Sequence, residues 1–329
     1  MAFLPHCNNG SPMTVQSSAP RLAVDVGGTF TDVALEIGPR RVTAKVLTTP
    51  QAPEEGVLAA VDKAVAEAGV APESVGLIIH GTTLATNALI ERKGAKTALI
   101  TSAGHRDSVE MAQENRFEQY DIAIDRPAPL VPRYLRWSVT ERLNYRGEVL
   151  VPLDEDSVRA LIPRIAKEKI DAVAIGLLHA YANGDHERRV AAILAEAYPD
   201  LAITLSSEVC PEIREYERQS TACANAYVQP KMARYLTELG AQMRDRGYRC
   251  PFLLMTSGGG LTTLDTAIRF PIRLVESGPA GGAILATEIA KECGLKDVVS
   301  YDMGGTTAKI CLIDDFAPLS TRTFEVARI

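Results

Sequence analysis

Two short stretches hold the residues best suited to chemistry. Asp25-Val-Gly-Gly-Thr29 and Asp302-Met-Gly-Gly-Thr306 repeat one phrase: an acid, a spacer, a glycine pair and a threonine. A glycine pair lets the backbone turn tightly and come close to an anion, and successive turn amides cradle phosphate. A lone carboxylate beside such a turn suits magnesium, which keeps several waters and takes only one or two protein ligands. One such phrase reads as an ordinary hairpin turn. Two, each ending an apolar strand, read as a paired nucleotide site. Gly27, Gly28, Thr29, Gly304, Gly305, Thr306 and Thr307 are therefore the phosphate candidates, and Asp25 and Asp302 the magnesium and catalytic candidates. The competing reading of Asp25 is a buried acid capping its own turn through Thr29. Asp32 and Lys309 occupy matching positions after the two phrases. Asp32 reads equally as a catalytic acid or as part of a strand pair. Lys309 reads more readily as a solvated strand lysine than as a phosphate ligand.

A third polar cluster is Thr82, Thr83, Thr86 and Asn87. It falls where the apolar run Val75–His80 gives way to a helix closed by Gly94, and a helix start favours anions, so it is a candidate for the substrate side. Plain helix capping by threonine is the alternative. His80, just before it, reads as a hydrogen-bonded core residue rather than a base; His179 and His186 read as structural or exposed. Arg106, Arg116, Arg142, Arg214 and Arg218 could meet an acidic substrate, though charged helix faces explain most of them.

The elements that must position these groups follow from pattern. Leu22–Val26, Phe30–Ile37 and Arg41–Leu47 read as three strands joined by the first glycine turn and by Gly38-Pro39-Arg40. Pro53–Glu67 reads as a helix with Val57, Leu58, Val61 and Val65 on one side. Lys96–Thr101 is a strand. Residues 104–136 read as a long irregular segment, and Trp137–Leu150 as a hairpin turning at Arg146-Gly147. Asp154–Lys169 is an amphipathic helix that Pro163 should kink. Ile170–Leu178 and Leu201–Val209 are strands flanking the helix Asp185–Ala197. Pro211–Leu239 is helical, Phe252–Met255 a strand, and 256–260 a glycine-rich turn. Asp297–Asp302 and Ile310–Ile313 flank the second phrase. Alternating strands and helices define an α/β protein with helices covering the sheets.

Composition bounds the rest. At 329 residues, with 46% hydrophobic and 23% charged residues, the chain reads as globular and longer than one ordinary domain. The formal net charge of −6 argues against a general nucleic-acid binder. No apolar run is long enough to span a membrane. The six cysteines show no paired spacing, which argues against a zinc site or disulfide framework and makes the cytoplasm the expected location. Residues 1–20, rich in Ser, Pro and Asn, read as a disordered tail.

The two glycine phrases resemble the phosphate loops of the actin-like ATPase superfamily. Five motifs in order sharpen the resemblance: Val24–Asp32, His80-Gly-Thr-Thr-Leu-Ala-Thr-Asn87 through Gly94, Ser207-Glu-Val-Cys-Pro-Glu-Ile-Arg-Glu-Tyr-Glu-Arg218, Glu276-Ser-Gly-Pro-Ala-Gly-Gly282 and Asp302–Thr307. Together they are similar to the A (β-type) subunit of the hydantoinase/oxoprolinase family over about residues 21–329. His105 and the Thr256-Ser-Gly-Gly-Gly turn depart from residues common in that family, and Lys309 stands where the first phrase has Asp32, which leaves substrate identity open.

The resemblance implies actin-like (ribonuclease H-like) α/β lobes with mixed sheets and a duplicated hairpin unit. It implies an N-terminal domain at 21–206 and the start of a main ATPase domain at 207–329, with the second lobe truncated. It implies ATP and Mg2+, and phosphorylation of the amide oxygen of a hydantoin, 5-oxoproline or lactam. It also implies a hetero-oligomer with a B (α-type) subunit. The ATP-using subunit of an acetone- or acetophenone-type carboxylase is the near alternative. A small-molecule kinase and a non-catalytic actin-like ATPase are the more distant ones.

Overall fold

The computed structural model describes residues 19–113, 118–125, 127–303, 308–321 and 325–326. The expected tail up to residue 18 and the segment Gly304, Gly305, Thr306 and Thr307 lie outside them. The chain opens with the expected meander: β1 (Arg21–Val26), β2 (Phe30–Ile37) and β3 (Arg40–Leu47). Along β1, Leu22, Val24 and Val26 are buried, while Arg21, Ala23 and Asp25 point to the other face. This period of two puts an acid and a core residue on adjacent positions. α1 (Pro53–Ala68) covers the apolar face with Val57, Leu58, Val61 and Val65. It starts with Pro53, whose fixed φ suits a first helical turn, and with Glu54 and Glu55 at the positive end of the helix dipole. Gly69 closes it at φ 69°, its N–H reaching the Val65 carbonyl at 3.0 Å. β4 (Leu77–Thr82) then pairs parallel to β1 and leads into α2 (Leu84–Ile90).

A second core follows. Its elements are β5 (Thr97–Ser102), α3 (Ser108–Met111), β6 (Arg136–Val139), β7 (Arg142–Leu143), β8 (Val149–Val151), α4 (Glu155–Arg159) and α5 (Ile162–Glu168). They continue through β9 (Ala172–Gly176), α6 (Asp185–Ala197), β10 (Ala202–Leu205) and α7 (Ser206–Val209). The sheet order is β10-β9-β5-β6 and every pair is parallel. All residues of β5 and β9 are buried, the mark of a parallel sheet enclosed on both faces.

The structure departs from the sequence expectation at three places. Trp137 belongs to β6, parallel to β5, and the hairpin is confined to β7–β8, because burying the indole draws Trp137 into the second core. Pro163 does not kink one long helix. It sits in the first turn of α5, where its missing N–H costs nothing, and the chain breaks before it. The strand expected to reach Val209 stops at Leu205, since Ser206 and Ser207 turn inward to bond the buried Glu187 carboxylate.

α8 (Glu215–Asp245), 31 residues long, ties the two cores together. Its Ala222, Cys223 and Ala226 pack into the second core, and Tyr227, Val228, Met232 and Leu236 into the first. Packing on both sides carries the helix through Pro230 despite the lost backbone bond. β11 (Phe252–Met255), β12 (Leu261–Thr263) and α9 (Leu264–Arg269) complete the first sheet, in the order β12-β11-β4-β1-β2-β3. That sheet mixes parallel and antiparallel pairs. α10 (Ser277–Cys293) contacts β4 and β11, then leads to β13 (Val298–Met303), β14 (Ala308–Asp314) and β15 (Ala317–Pro318), an antiparallel sheet of its own. Among the described residues no helix is long and apolar enough to cross a membrane.

Candidate functional site

Asp25 is the next-to-last residue of β1, with Asp32 opposite it on β2 and Gly81 beside it on β4. A Cβ at position 81 would stand 2.9 Å from Asp25 Oδ1, so the carboxylate lies against bare backbone and only glycine leaves it room. Gly81 stands within the His80–Gly94 motif, where nothing in the sequence marks this role. Asp25 keeps solvent access. Its pKa is nevertheless raised, first by burial, then by the negative charges of Asp32 and Asp302, with Lys45 opposing. Asp302 comes from a different sheet, so the fold brings the acids of the two glycine phrases close enough to repel one another.

The first glycine turn is braced from behind. Gly27 N–H donates to the Phe30 carbonyl at 2.9 Å, and Thr48 Oγ1 to the Gly27 carbonyl at 3.0 Å. Thr48 N–H reaches the Thr29 carbonyl at 2.9 Å. Gly28 and Thr29 face outward and are exposed. Gly304 to Thr307, at the end of the second phrase, lie outside the described residues; on either side of them, Asp302 on β13 stands opposite Lys309 on β14.

The Thr82–Asn87 cluster adjoins the first turn. Thr83 Oγ1 donates to the Val26 carbonyl at 3.1 Å, and Thr82 Oγ1 accepts the Leu84 N–H at 3.2 Å. Asn87 Nδ2 donates to Thr83 Oγ1 at 3.3 Å and would lie 3.7 Å from a Cβ on Gly28. Thr86 is buried and accepts the Glu276 N–H at 3.2 Å. The threonine hydroxyls thus lock the strand–helix junction together. Asn87 is the member that faces the glycine turn.

Asp32 forms a bidentate ion pair with Lys45, at 2.8 and 3.0 Å, with both side chains about half exposed. Lys309 is not a free strand lysine: it pairs with Glu276, at the start of α10, and burial lowers its pKa. Glu276 and Ser277 open the motif that runs to Gly282, and sequence reasoning gives neither of them a site role.

His80 behaves as expected of a core histidine. Tyr235 OH lies 2.8 Å from its Nε2, and burial holds its pKa at about 4, against support from the Val24 backbone. His186 Nδ1 lies 2.8 Å from the buried Glu141. The described arginines of interest are engaged elsewhere. Arg218 is fully buried on the Leu177 and Glu212 carbonyls, Arg142 contacts His105 and the Ala103 carbonyl, and Arg106 and Arg214 sit beside acids. A cavity of about 420 Å³, lined by Ile78, Tyr248, Arg249 and Phe252, opens at the other end of β4 and β11, away from the glycine turn.

Fold and site together give an α/β protein with a glycine turn beside Asp25 and with Asp302 near enough to help raise the Asp25 pKa, an arrangement suited to phosphate and a hard cation. Sequence comparison gives the family. The hydantoinase/oxoprolinase N-terminal region model matches residues 21–198 and the hydantoinase/oxoprolinase model residues 218–329, so the chain belongs to the hydantoinase/oxoprolinase family. It is 35% identical over 301 residues to the caprolactamase subunit alpha of Pseudomonas jessenii, covering 89% of this chain and 43% of that protein. The structure of the ATP-dependent caprolactamase from that organism superposes with a TM-score of 0.77 at 33% identity, over 89% of this chain and 43% of that one. The nucleotide-free structure of acetone carboxylase superposes with a TM-score of 0.82 at 27% identity, over 90% of this chain and 44% of that one. The 5-oxoprolinase of Saccharomyces cerevisiae is 30% identical over 346 residues, covering 92% of this chain and 26% of that protein. The chain thus spans less than half the length of these relatives.

Proposed function

We propose that this chain is the ATP-using part of an enzyme that opens a cyclic amide, of hydantoin, 5-oxoproline or lactam type. The observation that carries the reading is the approach of Asp25 and Asp302, from two sheets, beside the outward-facing Gly27–Thr29 turn. An amide carbonyl is a poor electrophile because resonance feeds electrons into it. Making its oxygen a phosphate ester removes that resistance. The amide oxygen attacks the terminal phosphorus of ATP, the new O–P bond forms as the bridge to ADP breaks, and the N–H proton leaves. Water then adds to the activated carbon, the ring carbon–nitrogen bond opens, and a second water releases phosphate.

Phosphoryl transfer of this kind depends on positioning and charge stabilisation. The outward amides of Gly28 and Thr29 orient phosphate oxygens, and Asn87 stands beside them on the substrate side. Asp25 and Asp302 offer carboxylate oxygens and no nitrogen or sulfur, a donor set that fits magnesium held largely through water. When bound, the ion supplies charge neutralisation on the phosphates. Asp32, bound to Lys45, tunes the charge of Asp25.

Relatives named as subunits support a working partner; in this reading the partner is the B (α-type) subunit of a hetero-oligomer. The close superposition on acetone carboxylase supports a second reading, in which the same transfer activates a ketone enolate or bicarbonate. ADP release by the intact protein with its partner and magnesium separates the two. It is to be measured against hydantoins, 5-oxoproline, lactams and ketones, with and without bicarbonate. Stimulation by a cyclic amide, lost in Asp25→Ala, supports the first reading. Turnover only with ketone and bicarbonate moves the protein to the second, and no stimulation by any of them sinks both.

A further inference from the structure

Ser277 is the first residue of α10, a helix of 17 residues. It is 1% exposed, and its hydroxyl has no hydrogen-bond partner among the described residues. Buried hydroxyls are normally paired, so an unpaired one at the start of a long helix asks for a ligand. The backbone there is forced into position. Glu276 adopts φ 64° and ψ 22°, a left-handed conformation that a residue with a side chain rarely takes. Two contacts hold it: its N–H on Thr86 Oγ1, and its carboxylate on Lys309. Strain kept in place by such contacts clusters at functional sites.

Space is available beside this helix start. Among the described residues, a Cβ at Gly278 or Gly282 would meet nothing within 4 Å. Pro279 has no N–H, which leaves the amides of Ser277 and Gly278 as first-turn donors without intrahelical partners. The positive end of the helix dipole adds to them. The one nearby negative charge on this element, Glu276, is neutralised by Lys309. Through Thr86 and its neighbour Asn87, the helix start adjoins the Gly27–Gly28 turn.

We propose that the N-terminus of α10, with the Ser277 hydroxyl, is a second anion site that receives the phosphoryl group after it leaves ATP. Its ligand is a phosphate dianion, carried by the phosphorylated acceptor or free after release. This rests on reading the Gly27–Thr29 turn as the site of the ATP phosphates, and it gives the opposite, acceptor side of that site its own anchor.

The test is titration of inorganic phosphate into the intact protein holding ADP and magnesium, followed by 31P NMR, with ADP affinity measured separately. The expected result is saturable phosphate binding. Ser277→Ala weakens it about tenfold, the range for one hydrogen bond to a charged group, and leaves ADP affinity unchanged. Ser277→Thr keeps it. Gly278→Ala, whose methyl group meets none of the described residues within 4 Å and leaves the fold intact, weakens phosphate in the same way. Phosphate affinity unchanged in both Ser277→Ala and Gly278→Ala overturns the inference, as does absence of phosphate binding to a protein that binds ADP. Failure of the wild type to bind ADP overturns instead the reading on which the inference rests. A titration of acetyl phosphate separates the two phosphate sources: tighter binding than inorganic phosphate marks the phosphorylated acceptor, and weaker binding marks the released ion.

Discussion

The two hairpins that carry the same phrase are held by different forces. β1–β2 lies inside a six-stranded sheet, its Leu22, Val24, Val26, Val33 and Leu35 buried under α1 and α8. β13–β14 belongs to a three-stranded sheet whose Val299, Tyr301, Ile310 and Leu312 are more than half exposed among the described residues. The residue opposite the acid also inverts. Asp25 faces Asp32, which pairs with Lys45; Asp302 faces Lys309, which pairs with Glu276. The first acid is therefore placed by a strand whose other face packs in the core and by the bare backbone of Gly81, and the second stands beside an ion pair between β14 and the start of α10. Substitutions that alter volume should act through the first hairpin, and those that alter charge through the second.

The largest effect expected is on turnover. Removing either converging carboxylate, as Asp25→Asn or Asp302→Asn, should lower ATP turnover by about 100-fold or more, since metal-centred charge stabilisation is worth several kcal/mol and each 1.4 kcal/mol is a decade. Steady-state ADP release checks this. Equal losses support a shared site, while a loss confined to Asp25 would break the pairing of the hairpins.

Exchanging the opposing residues comes next. Lys309→Asp gives the second hairpin the acid of the first, strands Glu276 without its partner and adds negative charge beside Asp302. ATP affinity should fall by about tenfold, the cost of removing one charge-assisted contact. Asp32→Lys breaks an exposed pair, worth about 0.2–1 kcal/mol to stability, and removes a negative charge that acts on Asp25. Isothermal titration and thermal melts of the two variants make the contrast quantitative, and equal losses of affinity would erase it.

How much of this could be read from sequence follows from the same contrast. The first hairpin was legible because its chemistry is local: strand alternation puts Asp25 opposite the buried Val24 and Val26, and the glycine pair announces its own turn. His80 was legible as a core residue because a buried strand surrounds it. What stayed hidden depended on meetings across the chain. Gly81 matters because Asp25 lies on it, 56 positions away in a parallel pair. Lys309 reads as a solvated strand lysine until Glu276 is seen beside it. Trp137 looked like hairpin because its parallel partner Ile100 lies far upstream. Periodicity reports which face a residue shares, and is silent on which element that face meets.

His80 tests the packing of the first hairpin by pH. Its pKa falls from 6.5 to about 4 on folding. A depressed histidine binds its proton only when unfolded, so its contribution is complete above pH 6.5 and lost as the pH falls toward 4. Stability measured by urea unfolding should decline across that window. His80→Gln, which keeps a hydrogen-bonding side chain without the titration, should flatten the decline. An unchanged slope would place the acid sensitivity elsewhere.

The smallest expected effect concerns stability at Asp25 and has the opposite sign from its effect on turnover. Burial, Asp32 and Asp302 raise its pKa above 3.8, so the fold favours the protonated carboxyl. Above the folded-state pKa, the ionised acid works against folding; below 3.8 the penalty is gone, because both states are protonated. Asp25→Asn should therefore raise the Tm of the protein, free of nucleotide and magnesium, by a few degrees at pH 7, with the gain shrinking as the pH approaches 3.8. Asp302→Asn should recover part of the same gain, and combining the two should give less than the sum, since each removes one half of a single repulsion. Strict additivity would mean that the two acids do not feel one another, and the convergence of the hairpins on one ion would fail with it. A gain that disappears when magnesium and ADP are added to the wild type would show the repulsion being put to use, with the cation taking the place of the missing proton.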